Sequence, residues 1–214
     1  MDGVDKLFAP LMGRPLIVHT LTTFDRCEAV DSFVVVASEA NVSRMSELVR
    51  SQRLQNVVAV CLGGARRRDS VRAGLKHLPH SDWTVIHDGA RPLADCAMVE
   101  NGLQHAAETG AAAAAVPVAD TIKRATAEGL VEGTLEREGL WAVQTPQVFR
   151  TDLLKEAHEA DSDDATDDAS MVERNGGAVK LFEGNTANIK VTTPTDLAVV
   201  EALLKARAAR TILR

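Results

Sequence analysis

The sequence predicts an α/β fold in which a mainly parallel sheet carries helices on both faces. Three observations predict it. Apolar runs of strand length alternate with helically spaced segments, the order that βαβ units produce. Those runs are nearly continuous rather than alternating, as in strands covered on both sides. A capped amphipathic helix then closes the pattern from Thr193 onward. The 214 residues, 45% hydrophobic and 25% charged, suit one domain over 1–214 with a single core.

The first strand is expected at residues 32–38, around Phe33-Val34-Val35-Val36. Runs at 57–62, 83–87 and 111–118 repeat the type. Between them, Val71, Leu75 and Leu78 have helical spacing, as do Val99, Leu103 and Ala106. Residues 120–149 break the rhythm: they are polar and Gly-punctuated, with short apolar pairs such as Leu130-Val131. They read as an extended arm or hairpin outside the βαβ series. The acidic stretch 159–168 reads as a solvated loop. Asn188-Ile189-Lys190-Val191-Thr192 reads as a short apolar strand holding a lysine. In the final helix Thr193 is the cap, Pro194 the first position and Asp196 the acid of a capping box. Leu197, Val200 and Leu204 form its apolar stripe.

A net charge of −6 argues against a nucleic-acid partner, so any phosphate binding must come from local basic islands. The longest apolar run, 111–118, is far short of a membrane span. Met1-Asp2-Gly3-Val4-Asp5-Lys6 has neither the basic end nor the apolar core of a signal peptide. Cys27, Cys61 and Cys96 are odd in number, widely spaced and in no metal pattern. Reduced thiols and a cytoplasmic location follow as expectations.

Four motifs fall at or just beyond expected strand ends, where ligands gather in open α/β sheets. Gly63-Gly64-Ala65-Arg66-Arg67-Arg68-Asp69-Ser70 offers backbone N–H groups and arginines to an anion. Ser70 suits either a helix cap or a ligand donor, and an ordinary strand–helix turn is the plainer reading. His87-Asp88-Gly89-Ala90-Arg91-Pro92 sets a carboxylate at a strand tip, where Asp88 is placed to hold Mg²⁺ against phosphates. Arg91 either forks onto a phosphate or simply pairs with Asp88. Asp120-Thr121-Ile122-Lys123-Arg124, Arg137-Glu138-Gly139-Leu140-Trp141 and Gln144-Thr145-Pro146-Gln147 suit a small phosphorylated polyol or plain solvent exposure. Lys190 lies on a solvated face or points into a cleft. Nothing local raises Lys6 above a solvated lysine.

Together and in this order, these motifs resemble the 2-C-methyl-D-erythritol 4-phosphate cytidylyltransferase family from Lys6 to the last helix. The carrying residues are Asp5-Lys6-Leu7-Phe8, the 63–70 turn with Arg67, 87–92, Asp120-Thr121-Ile122-Lys123 and Arg137-Glu138-Gly139-Leu140-Trp141. They continue through Gln144-Thr145-Pro146-Gln147, Thr166-Asp167-Asp168-Ala169-Ser170 and Asn188-Ile189-Lys190-Val191-Thr192. The resemblance implies a Rossmann-like fold and transfer of CMP from CTP to methylerythritol phosphate, with Mg²⁺ as cofactor. It implies that Lys6 contacts the triphosphate and stabilises the transition state. Asp88 would hold the metal, and Gly64, Ser70 and Gly89 would line the nucleotide site. Arg91, Thr121, Arg137, Thr145 and Lys190 would hold the acceptor, with Arg137 and Lys190 aligning its phosphate. It further implies a homodimer whose exchanged arm completes the partner's site.

One departure accompanies the resemblance. The family's first strand and its glycine-rich loop with a catalytic arginine precede the point matched by Met1. A chain starting there is expected to leave a sheet edge open and not to bind CTP, whereas one longer by about 20 residues, a strand plus a loop, would turn over. Two alternatives stay open: a ribitol-5-phosphate-type cytidylyltransferase and a non-catalytic remnant that only dimerises.

Overall fold

The computed structural model describes residues 6–160 and 165–212. A 3-10 turn at Lys6–Phe8 leads into a two-residue ribbon, β1 (Pro10–Leu11) against β2 (Arg14–Pro15), and then helix α1 (Leu16–Asp25). The series continues with β3 (Phe33–Ala37), α2 (Val42–Gln52), β4 (Val57–Leu62), α3 (Arg67–Leu75), β5 (Trp83–Ile86), α4 (Cys96–Thr109) and β6 (Ala111–Pro117). A hairpin of β7 (Lys123–Ala125) and β8 (Val131–Thr134) follows. Strand β9 (Trp141–Arg150), α5 (Thr151–Ala160), α6 (Asp168–Arg174), β10 (Lys180–Glu183) and α7 (Pro194–Ile212) complete the chain.

The α/β class and the four apolar strands stand where the sequence places them. The main sheet has the order β10-β6-β9-β5. Strand β10 runs parallel to β6, while β9 is antiparallel to both β6 and β5. Strands β5, β6 and β10 therefore share one direction, and β9 is the reversed strand. The parallel pair β3–β4 forms a separate sheet. Among the described residues β3 and β5 each keep one edge without a strand partner. Helix α1 bridges the two sheets. Ile17 and Leu21 pack with Val35, Ala37 and Met45, and Phe24 joins Val99 and the Val85 side.

Helices cover both faces of the main sheet through the pleat of β6. Ala111 and Ala113 meet Phe149, Leu154, Met171 and Val172 on one face, and Ala112 and Ala114 meet Met98, Ala106 and Phe182 on the other. All five alanines from Ala111 to Ala115 are fully buried. Their small side chains allow the helices to approach closely, and Gly102 of α4 carries this furthest: a Cβ there would lie 2.7 Å from Val148.

Four sequence expectations are corrected. The stretch 120–149 divides: the hairpin is the arm, but from Gln144 to Phe149 the chain is buried as β9 at the middle of the sheet. Its Gln, Thr and Pro residues masked the strand, because their polar groups are used inside the fold. Asn188–Thr192 is not a strand. It is a crossing without regular structure whose Val191 N–H donates to Ala90 O at 2.8 Å. The acidic stretch is no solvated loop at its end. Residues 161–164 lie outside the described residues, Asp167 caps α6 by accepting from Ser170 N at 3.0 Å, and Asp168 is fully buried. Cys27 and Cys96, 69 residues apart, form a disulfide between the end of α1 and the start of α4, leaving Cys61 free and buried. Sequence spacing carried no sign of the pairing, because packing of α1 on α4 alone brings their Cα atoms to 5.3 Å. Among the described residues no helix is long and apolar enough to cross a membrane.

Candidate active site

Of the expected site residues, Asp88, Arg91, Thr145 and Lys190 meet just past the C-terminal end of β5. Asp88 is the centre. It stands two residues past β5, and its backbone N–H donates to Thr145 Oγ1 at 3.0 Å. Its Oδ2 accepts from Lys190 Nζ at 3.0 Å and from Arg91 Nε at 3.3 Å. Burial pushes the Asp88 carboxyl up, but the Lys190 hydrogen bond and charge, with Arg91 and Arg67 adding, hold it below the usual carboxylate range. Asp88 is therefore an anion in neutral solution. Lys190 reaches Asp88 while its side chain stays 43% exposed.

Arg91 is held on both sides. It pairs with Asp88 through Nε, and its Nη1 donates to Asn188 O at 2.7 Å. Asn188 is fully buried and donates Nδ2 to Gln144 Oε1 at 3.1 Å and to Thr145 O at 2.8 Å. Gln144 in turn donates to Asn185 O at 3.0 Å. Asn188 and Gln144 thus fasten the crossing that carries Lys190 onto β9. The sequence contained both within its motifs but gave neither a role. Two amides near strand ends are ordinary there, and only their mutual contact marks them.

Thr145 was expected at the acceptor. It is buried, and its Oγ1 accepts from the Asp88 N–H, which sets the Asp88 loop and leaves the hydroxyl proton to donate. Gly89 lies against α1: its carbonyl accepts from Thr20 Oγ1 at 2.9 Å, and a Cβ there would fall 2.7 Å from Ile17. His87, just before, stacks on Phe24 with ring centroids 4.7 Å apart and shares its Nε2 with Arg91 O. Burial pushes its imidazole down to about 4, so the ring is neutral near pH 7.

On the β4 side, Gly63 N donates to Ala37 O at 2.8 Å, and Gly64 N to Ser70 Oγ at 3.2 Å. Gly64 has no room for a side chain, since a Cβ would meet Asp69 Cβ at 2.3 Å. Ser70 closes the loop without capping the helix. The cap is Arg66, whose backbone N–H donates to Asp69 Oδ2. Arg67 is the first residue of α3, and its charge reaches Asp88.

Lys6 is partly buried in the 3-10 turn at the near end of α1, beside Leu7, which approaches the Gly89 position. Thr121 and Arg137 are exposed on the stem of the arm, where Arg137 Nη1 donates to Ala119 O at 2.6 Å. No hydrogen bond or ion pair joins them to the Asp88 cluster of the same chain among the described residues.

Mg²⁺ suits the chemistry of this donor set. No group of three His, Cys, Asp or Glu gathers among the described residues. A single ionised carboxylate, with phosphate oxygens and water filling the remaining positions, is a usual Mg²⁺ arrangement.

The family model for 2-C-methyl-D-erythritol 4-phosphate cytidylyltransferase matches residues 1–206. The enzyme of that name from Dehalococcoides mccartyi is 48% identical over 205 residues, 96% of this chain and 90% of its own length. That from Geobacillus kaustophilus is 47% identical over 211 residues, 97% of this chain and 92% of its own. Among solved structures, 4-diphosphocytidyl-2C-methyl-D-erythritol synthase from Anaerococcus prevotii superposes with a TM-score of 0.84 at 27% identity, covering 93% of each chain. The Thermus thermophilus cytidylyltransferase gives 0.80 at 32% identity, covering 94% of each.

Proposed function

This chain belongs to the 2-C-methyl-D-erythritol 4-phosphate cytidylyltransferase family, and from that premise we propose how its cleft performs the reaction. It is a nucleotidyltransferase of the non-mevalonate isoprenoid route. CMP passes from CTP to 2-C-methyl-D-erythritol 4-phosphate, giving 4-diphosphocytidyl-2-C-methyl-D-erythritol and pyrophosphate. The ribitol-type and remnant alternatives are not favoured, since the matched relatives carry the methylerythritol phosphate name over nearly all of this chain.

A phosphate oxygen of the acceptor attacks the α-phosphorus of CTP in line. The new P–O bond forms as the bond to the β-phosphate oxygen breaks, and its electrons leave with pyrophosphate. No protein group is covalently modified, so the protein contributes position and charge. Asp88 is the ligand for Mg²⁺, which when bound supplies charge neutralisation to the phosphates. Gly64, Ser70 and Gly89 border the nucleotide, and Lys6 meets its triphosphate. Lys190 and Arg91 receive the acceptor phosphate. With Asp88 holding the ion, Lys190 would be free to turn from Asp88 toward that phosphate.

The observation that carries this reading is the Asp88 carboxylate, held ionised between Lys190 and Arg91 at a strand end. Arg137 and Thr121 then act from the arm of a partner subunit in a homodimer. Support for the dimer comes from the arm's exposed apolar side chains Leu130, Val131 and Leu135, which a second copy would cover. A cytoplasmic location fits two substrates whose phosphate charges keep them from crossing a membrane.

The test is pyrophosphate release from CTP with either acceptor, with and without Mg²⁺. Turnover is expected with methylerythritol phosphate and Mg²⁺, and a chain longer by about 20 residues at its start serves where the 214-residue one does not bind CTP. Equal turnover with ribitol 5-phosphate would overturn the acceptor, and turnover unaffected by a chelator would overturn the metal.

A further inference from the structure

Behind the site lies a buried charged cluster that the reaction does not use directly. Asp168, the first residue of α6, is fully buried. Its Oδ1 accepts from His158 Nε2 of α5 at 2.9 Å, and its Oδ2 lies 2.5 Å from Arg67 Nη1 of α3. His158 is itself only 2% exposed, and its Nδ1 has no hydrogen-bond partner among the described residues. Its carbonyl accepts from Arg72 Nη2, one turn along α3 from Arg67. Gln147 of β9 fixes the start of α6: it donates Nε2 to Asp167 Oδ2 at 2.7 Å and accepts from Ala169 N–H at 3.3 Å. Helices α3, α5 and α6 thus meet at one carboxylate, and β9 holds the residues on either side of it.

Stability does not explain this cluster. Removing a carboxylate from water is costly, and well-packed apolar groups in its place are often no worse for folding. Its effect is geometric. A free arginine at the start of an exposed helix samples many rotamers, and fixing it on binding a ligand costs entropy. Arg67 is instead anchored by one edge of its guanidinium to Asp168, yet stays one-third exposed. It follows the Gly63-Gly64 loop directly, and its charge reaches Asp88. An anchored fork with an open edge, near the carboxylate assigned to the metal, suits an anionic oxygen.

We propose that Asp168 and His158 are positioning residues that aim Arg67 at a phosphate oxygen of the bound nucleotide. This rests on the cytidylyl-transfer reading, and on the loop from Gly63 to Ser70 serving the nucleotide rather than the acceptor. Arg67 is the group that touches substrate. Asp168 acts on the nucleotide only through Arg67, and His158 acts through Asp168.

The experiment is steady-state kinetics on Asp168→Asn, Arg67→Gln and the double variant, varying CTP and methylerythritol phosphate separately against wild-type turnover. Wild-type turnover tests the cytidylyl-transfer reading independently of the variants. Each single variant is expected to raise KM for CTP roughly tenfold, with KM for the acceptor unchanged and kcat little altered, the signature of lost ground-state binding. The double variant is expected to match Arg67→Gln alone, because the carboxylate has nothing left to aim. Arg67→Lys, which keeps the charge and loses the fork, is expected to leave most of the CTP defect in place. Should Asp168→Asn fail to fold, His158→Gln, which leaves the carboxylate in place, carries the comparison with the same expected direction. An unchanged KM for CTP, equal effects on both substrates, or multiplying effects in the double variant would overturn the proposal.

Discussion

Asp88 joins three things at one residue: the end of a buried strand, the charge of Lys190 and Arg91, and a backbone held by Thr145. Asp88→Asn keeps the size and removes the charge. Mg²⁺-dependent CTP turnover is therefore expected to fall by at least about a hundredfold, as for loss of a metal or transition-state ligand. Turnover and metal dependence near wild type would remove Asp88 from that role. The neighbouring His87 governs a different property. Its folded value of about 4 lies below the ordinary 6.5, because burial opposes the charged ring. Between those values the unfolded chain binds a proton that the native chain does not, so stability declines as pH falls from about 6.5 toward 4. Carboxylates held low, such as Asp196 at about 2, add their losses below the usual carboxylate range, outside this window. Urea unfolding at pH 7 and pH 4.5 should show a smaller decline in His87→Gln than in wild type, by on the order of 2 kcal/mol. Parallel declines would show that the ring does not carry the effect.

At the scale of elements, α7 starts as its residues dictate. Asp196 Oδ2 accepts from Thr193 N–H at 2.8 Å, and Thr193 Oγ1 accepts from Asp196 N–H at 3.2 Å, a capping box read directly from the sequence. The tie between α1 and α4 was not readable in this way. Cys27 and Cys96 become partners only because Phe24, Cys27 and Val99 pack together. Protein unfolded without reductant should therefore show one titratable thiol per chain, Cys61, and three after reduction. Three thiols without reductant would show that the pair stays open.

For the whole molecule, the separation of Arg137 and Thr121 from the Asp88 cluster of their own chain is the central fact. If the arm serves a partner, a chain bearing Arg137→Ala and a chain bearing Lys6→Ala should complement each other. One site of each mixed dimer would then join an intact Lys6 to an intact Arg137. Equal mixing makes half of all dimers mixed, so recovery should approach about a quarter of wild-type activity. No recovery in dimers shown by mass to be mixed would count against an exchanged arm.

The sequence by itself determined the α/β class, the apolar strands at 33–37, 57–62, 83–86 and 111–117, the cap of the last helix and the order of the site motifs. Each of these rests on local pattern: run length, spacing or a cap within four residues. Lys190 and Asp88 were legible as candidates because a charge among apolar neighbours stands out. Only the tertiary structure decided that their side chains meet at 3.0 Å. It alone showed that the polar segment around Gln144 and Gln147 is a central strand, whose amides hold Asn188 on one side and α6 on the other. It alone made Asp168 a buried partner of Arg67 and His158, three residues spread over 102 positions that one carboxylate draws together. Contacts between residues far apart in the chain follow from how the faces of helices and sheets pack, and no local pattern records them.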